Sequence, residues 1–463
     1  MSLKKNDILT VDIIDVTNLG FGVARHEGEV IFVSDAVMGD VARIKIIKCG
    51  SSFAVGRLEE LISSSPYRVS DRCEVKGCKS CAYKCISYER EAEIKRELVA
   101  AAFKKCGLDG VRVAPIVTSH AIRAYRNKAQ YPVAFGSSGE YVIGFFAPKS
   151  HRVTEAASCP LSPAVFAEIL DTLKGYFKKY SLSVYDEETG QGLLRHVYLR
   201  RGEISREVLL TLVINGTSLP HSDELVATIT DRFPEVVGIL LNANEKQTNV
   251  ILGDKYITLF GRDFIFDTLA GVRLKITAPS FYQVNHDAAE LIYAKAKELA
   301  DPQKHDTVLD LYCGAGSIGL SMARECRELI GIEIVESAVE CARFNAEQNG
   351  ITNASFYTGD AKNTEKLLDT AEAIRGERIK PDIVILDPPR SGCDEVLLRH
   401  IATSLLPRKI VYISCNPQTL ARDVAILSPL GYLAGDVTPV DMFPGTGHVE
   451  SVVCLARKSG GNQ

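Results

Sequence analysis

The chain has no apolar run long enough to cross a membrane. Its opening, "MSLKKNDILTVDI", has no signal-peptide core. These two lacks point to a cytoplasmic protein with no membrane partner. There is no internal repeat and no long low-complexity segment, which excludes solenoid, fibrous and largely disordered classes. The charge is close to balanced, with a formal net of −4. A wholly basic nucleic-acid coat is therefore excluded, although a local basic patch is not.

The composition present is that of ordinary globular protein, 46% hydrophobic and 24% charged. At 463 residues the chain predicts two to four domains. Thirteen cysteines are many. The odd count and the missing export signal predict free thiols, a metal or cluster and a catalytic cysteine, with no disulfides. Between Arg68 and Lys128, 14 Lys/Arg stand against 7 Asp/Glu, about +7 in one window. Such a segment suits an anionic partner.

Residues 1–62 read as short β-branched runs split by Gly and Asp, predicting five strands in a small barrel of the OB type. Residues 63–262 open on the cysteine cluster "CEVKGCKSCAYKC". A charged helical run, "SYEREAEIKRELVAAAFKKCG", follows, then mixed α/β patterning. Two basic clusters, "YRNKAQY" and "LLRHVYLRRG", make Arg126, Lys128, Arg195, Arg200 and Arg201 candidate phosphate contacts. Residues 263–463 alternate strands and helices, predicting a doubly wound, Rossmann-like domain with a mostly parallel sheet. The tail "KSGGNQ" is expected to fray.

Within that last region "DLYCGAGSIGL" follows a strand and opens a helix. Gly314 and Gly316 allow a tight turn and close approach of a ligand. Glu333 ends the next strand, placed to accept from ribose hydroxyls. "DPPRSG" puts Asp387 at a strand end and then two prolines, which cannot continue a ladder. The glycines and Glu333 suit either NAD(P) or S-adenosylmethionine, but Asp-Pro-Pro in that place resembles the loop with which methyltransferases hold a planar base, which hydride-transfer enzymes do not need. Another strand, "KIVYISC", delivers Cys415 to the carboxyl edge, where "NP" stops it.

Six motifs together, "SFYQVN", "DLYCGAGSIGL", "GIEIVESAVECARFNAEQNGI", "LDPPRSG", "YISCNPQTLARD" and "VDMFPGTGHVESVVCL", resemble the RNA uracil-5-methyltransferase family. The first 62 residues resemble its TRAM module, an RNA-binding domain. The resemblance implies a class I, S-adenosylmethionine-dependent enzyme, with Gln283, Tyr312, Glu333 and Asp387 at the cofactor positions and Asp360 near the adenine. It implies Cys415 as nucleophile and Glu450 as general base, with Asp387 also at the reacting ring. TRAM plus a cysteine cluster resembles the branch that makes 5-methyluridine in 23S ribosomal RNA. The same reaction on tRNA is the alternative. From other classes come an iron–sulfur oxidoreductase with a bound dinucleotide, and a non-catalytic RNA-binding module. Nothing in the chain points to an obligate protein partner.

The spacing Cys73-x4-Cys78-x2-Cys81-x3-Cys85 suits either zinc or an iron–sulfur cluster. The resemblance implies a [4Fe-4S] cluster on Cys73, Cys78, Cys81 and the distant Cys159, with zinc, or Cys85 as fourth ligand, as the alternatives. His448 reads as a structural hydrogen-bonder, with a second proton carrier as the alternative, and Cys313 as a small packing residue.

Overall fold

The computed structural model describes residues 3–458 apart from 72, 74, 76, 149, 156–158, 364–367, 370–371, 373–375 and 377. The tail expected to fray falls mainly on residues 459–463, outside the described residues. No helix among the described residues is long and apolar enough to cross a membrane. All thirteen cysteines are free thiols.

The N-terminal region is a six-stranded sheet, not the five strands expected. The extra member is the two-residue strand Asp15–Val16, too short for periodicity to reveal. Spatial order runs Ile8–Asp12, Val41–Cys49, Phe53–Ser63, Glu29–Ser34, Gly22–His26, Asp15–Val16. Its inward residues, Val11, Ile31, Val33, Ile44 and Ile46 among them, make a small core of their own.

The middle of the chain builds a seven-stranded sheet from Lys128–Phe135, Leu194–Arg201, Val208–Ile214, Val236–Ala243 and three flanking strands. The helices Ala164–Lys179 and Ser222–Arg232 cover it, burying Phe166, Leu170, Leu173, Phe177, Leu225 and Ile229. The cysteine segment and the helix Tyr88–Lys105 do not belong to that layer. Val99, Ala102 and Phe103 of the helix pack into the core of the C-terminal domain. Val117–Thr118 pairs with Val440–Asp441 in the C-terminal sheet. Residues 88–118 thus contribute to the core and sheet of the C-terminal domain, their apolar face finding its partner only in three dimensions.

The C-terminal sheet has nine strands. Ala354–Thr358, Glu328–Glu333, Thr307–Leu311, Ile383–Leu386 and Lys409–Ser414 are parallel neighbours in that order. Glu450–Arg457 then runs antiparallel to Lys409–Ser414. The strand order reverses between Glu328–Glu333 and Ile383–Leu386, on either side of Thr307–Leu311. Such a reversal opens a crevice at the carboxyl ends of the strands.

Candidate active site

Five loops leave the carboxyl edge of this sheet and meet around one cavity of about 980 Å³. Gln283, Tyr312, Gly314, Glu333, Asp360, Asp387, Cys415 and Glu450 all line it. Gly316 does not. It turns the chain at φ 79°, and a Cβ there would stand 3.0 Å from the Phe356 ring and 3.2 Å from Ala342 Cβ. Its part is close packing behind the loop.

The first loop turns sharply. Tyr312 adopts a left-handed φ of 66°, rare for a bulky residue. This swings Gly314 toward Glu333, and the Gly314 N–H donates to Glu333 Oε2 at 3.1 Å. The Val335 N–H donates to Oε1 at 2.9 Å. Glu333 is held at the cavity wall, with Ile334 exposed beside it.

Cys415 and Glu450 meet because of register. Ser414 pairs with Ser451 across an antiparallel ladder, so the next residues outward, Cys415 and Glu450, face one another at its end. Asn416 then caps the helix Pro417–Leu427, its side chain accepting from Gln418 N–H at 3.0 Å with proline in the first turn. The same Asn416 donates through Nδ2 to Arg390 O at 3.0 Å, tying the cysteine loop to the Asp387 loop. From the helix, Asp423 accepts from Cys393 N–H at 2.9 Å and Tyr412 Oη at 2.6 Å.

The electrostatics are those of a dry acidic site. Burial pushes Glu450 up to about 8, with the Asp387 charge adding to it and Arg390 opposing. Desolvation pushes Asp387 up to about 7. Cys415 rises to about 11, through burial first and then the charges of Glu450 and Asp387, again opposed by Arg390. Behind them Asp310 is fully buried and pushed up to about 8 by the same loss of water. Its Oδ2 accepts from Gly319 N–H at 2.9 Å.

Several lining residues carried no role at the level of sequence. Arg390 is the cation that moderates both Cys415 and Glu450. Its signal was its place inside "DPPRSG". Phe281 lines the cavity while 69% exposed, and Phe443 lines it from the loop before Glu450. His448 also lines it, yet its imidazole makes no hydrogen bond among the described residues, against the expectation of a structural hydrogen-bonder. Desolvation and the charges of Arg390, Lys95 and Arg126 hold it below its usual range. Cys313 is buried, as a packing residue should be.

The basic candidates divide. Arg200 is 2% exposed, its Nε donating to Tyr198 Oη and Ala278 O, each at 3.0 Å, and its Nη2 to Ser280 O. Arg195 is buried with Nη1 on Asn244 O at 2.6 Å and Lys246 O at 2.8 Å. Both were expected at an RNA surface. Both instead satisfy interior carbonyls, and Arg200 fixes the segment leading to Gln283. The strand lies inside its sheet and is covered on both faces, so both side chains turn to interior carbonyls and only Arg201, at its end, stays half-buried. Arg126, Lys128 and Arg201 are half-exposed. Burial and the Arg200 and Arg126 charges bring Lys128 down to about 8.

Cys73, Cys78 and Cys159 lie near enough to Cys81 for their charges, after burial, to help push it up to about 12. Cys85 instead responds, after burial, to Asp71, Lys84, Arg68 and Asp35. Among the described residues no group of three or more Cys, His, Asp and Glu side chains has the closed arrangement of a metal site.

The profile of the tRNA (uracil-5-)-methyltransferase family matches residues 230–458, and the TRAM domain matches residues 3–58. A protein of Oceanobacillus iheyensis named as an uncharacterized RNA methyltransferase is 37% identical, over 98% of each chain. One of Clostridium acetobutylicum with the same description is 38% identical, again over 98% of each chain. Among solved structures, Pyrococcus abyssi tRNA (uracil-54, C5)-methyltransferase with S-adenosyl-L-homocysteine aligns with a TM-score of 0.76. It is 28% identical, covering 96% of this chain and 99% of its own. The dinucleotide-dependent oxidoreductase reading gains no support from these relatives.

Proposed function

The chain belongs to the RNA uracil-5-methyltransferase family, and from that premise we propose that it makes 5-methyluridine at a specific uridine of 23S ribosomal RNA. Methyl transfer from S-adenosylmethionine to uracil C5 in RNA follows from the family. The choice of RNA and the residue roles are our reading. The observation that carries the roles is the single cavity shared by Cys415, Glu450 and Asp387 with Gly314, Glu333 and Asp360.

Uracil C5 is a weak nucleophile. Cys415 adds to C6 as thiolate, forming an S–C6 bond and moving the electron pair to C5 and its neighbouring carbonyl. C5 then takes the methyl group as the sulfonium C–S bond breaks, releasing S-adenosylhomocysteine. Glu450 removes the remaining C5 proton, the C5–C6 double bond re-forms, and the thiolate leaves. The high position of Glu450 suits a base working near neutral pH. Free Cys415 is a thiol, and Arg390 favours its ionised form. Asp387 and the prolines after it wall the ring, and Glu333 receives the ribose hydroxyls.

Cys73, Cys78, Cys81 and Cys159 fit a [4Fe-4S] cluster in donor chemistry, because four cysteine sulfurs are the donor set such a cluster takes; zinc is the alternative. When bound, the cluster would supply a cross-link between residues 73–81 and 159 and no electrons to methyl transfer.

The ribosomal reading rests on the TRAM region together with the cysteine group. A second reading, tRNA, is favoured by the likeness to the Pyrococcus enzyme, whose layout extends over 96% of this chain. Incubation with methyl-labelled donor and separate 23S rRNA and tRNA transcripts tests both. Label in rRNA alone supports the first and label in tRNA alone the second. Label in neither defeats the enzymatic reading.

A further inference from the structure

The hairpin Phe264–Leu269/Val272–Thr277 has two faces. Ile265, Leu269, Val272, Leu274 and Ile276 point into the core. The other face carries Phe264, Phe266, Arg273 and Lys275, none of them fully buried. The packed helix Glu336–Gln348 adds Phe344, 38% exposed. Cations and rings alternate across this face. Arg273 stands 3.9 Å over the Phe266 ring. Lys275 stands 4.6 Å over Phe264 and 5.1 Å over Phe344. Arg262 lies 5.2 and 5.3 Å over Phe264 and Phe266, but its charge is matched by Glu207 at 2.5 Å. Arg273 and Lys275 make no ion pair among the described residues, although Asp263 stands exposed at the hairpin's start.

This track leads to the active site. Phe264 pairs with Thr277, whose N–H and Oγ1 meet Ser280 Oγ at 3.1 and 2.7 Å. The next residue is Phe281, at the cavity. We propose that the face seats single-stranded RNA flanking the target nucleotide, bases stacking on Phe264, Phe266 and Phe344 and phosphates meeting Arg273 and Lys275. The inference rests on the RNA-methylation reading. Rings supply sequence-tolerant stacking and unpaired cations supply backbone contact, the pairing that single strands require. A protein-docking face would also carry rings and arginine, but its centre would be depleted of charge such as that of Lys275.

The test is fluorescence anisotropy with a fluorescein-labelled oligouridine of about 20 nucleotides, a length spanning one or two binding modules. Arg273→Gln/Lys275→Gln should lower the slope of log affinity against log salt by about 1.4, at about 0.7 per lost contact. Phe264→Leu/Phe344→Leu should weaken binding about five- to a hundredfold per lost stack. Because a variant can misfold, 4-thiouridine cross-linking on the unaltered protein gives an independent reading, with adducts expected in the peptides holding residues 262–275 and 344. Unaltered slopes and no adducts there, with wild-type binding intact, overturn this proposal alone. Unaltered RNA slopes with changed self-association in sedimentation assign the face to a protein and also overturn it. No RNA binding by the wild type overturns both this proposal and the function it rests on.

Discussion

Replacing Lys95 by Met should loosen the loop that carries Phe443, His448 and Glu450 into the cavity. Lys95 Nζ donates to Glu91 Oε1 at 2.8 Å, Asp441 Oδ1 at 2.7 Å and Phe443 O at 3.1 Å. The side chains of all three charged residues are 0% exposed. Glu91 also accepts from Gly445 N–H at 2.5 Å, and Tyr88 Oη donates to Asp441 Oδ2 at 3.0 Å. One cation thus holds two carboxylates that together grip both ends of the turn before Glu450. Removing one partner of a buried ion pair costs about 3–5 kcal/mol. Here the substitution leaves two carboxylates facing each other, so the upper part of that range applies. Amide exchange across residues 441–450 is the assay, since unfolding of so large a chain is not two-state. Opening should become about a thousandfold to a few thousandfold more frequent. Lys95→Met/Glu91→Gln/Asp441→Asn keeps the acceptors, removes the stranded charge and should restore most protection. Exchange within about threefold of wild type for Lys95→Met would refute the reasoning, since that is under 1 kcal/mol.

Four further outcomes follow from the site. Cys415→Ala should abolish methyl transfer and the covalent adduct with 5-fluorouridine RNA; retained turnover would remove it as nucleophile. Glu450→Gln should still form the adduct but release it far more slowly, by about a hundredfold or more, in a gel assay of trapped RNA. Free of ligand, Glu450→Gln should also gain urea resistance over wild type as pH rises. The Glu450 carboxyl is raised from 4.5 to about 8, so the stability of its protonated form is complete below about 4.5 and is lost as pH rises toward 8. An advantage that shrinks with rising pH would contradict this sign. Gly316→Ala should weaken S-adenosylhomocysteine binding in calorimetry, because the new methyl would meet the Phe356 ring at 3.0 Å at a φ of 79°. Unchanged affinity would show that the loop adapts.

Much of the site was legible in linear order because its chemistry sits at strand ends. "DLYC", "ILDPP" and "YISC" each end an apolar run on a polar residue, and a doubly wound sheet sends all such ends to one edge. Arginines on strands resisted the same treatment. "LRHVYLRR" displays charge, but its strand is covered on both faces, and Arg195 and Arg200 end beside carbonyls that sequence cannot place. The packing of residues 88–118 was hidden for a related reason. An amphipathic helix such as Tyr88–Lys105 announces an apolar face without naming the core that receives it.

By itself the sequence determined local matters: a β-rich start, an alternating α/β end, glycines at the tight turn, and a cysteine set between a strand and Asn-Pro. These depend on backbone preference and short periodicities, which neighbouring residues settle among themselves. Tertiary structure alone decided that Cys415 faces Glu450, because antiparallel register sets that pairing from Ser414 and Ser451. It alone moved the site's acids and thiol upward, because desolvation depends on what closes over a group. It alone joined Lys95 to Asp441 across 346 residues of chain, a contact that only packing can make.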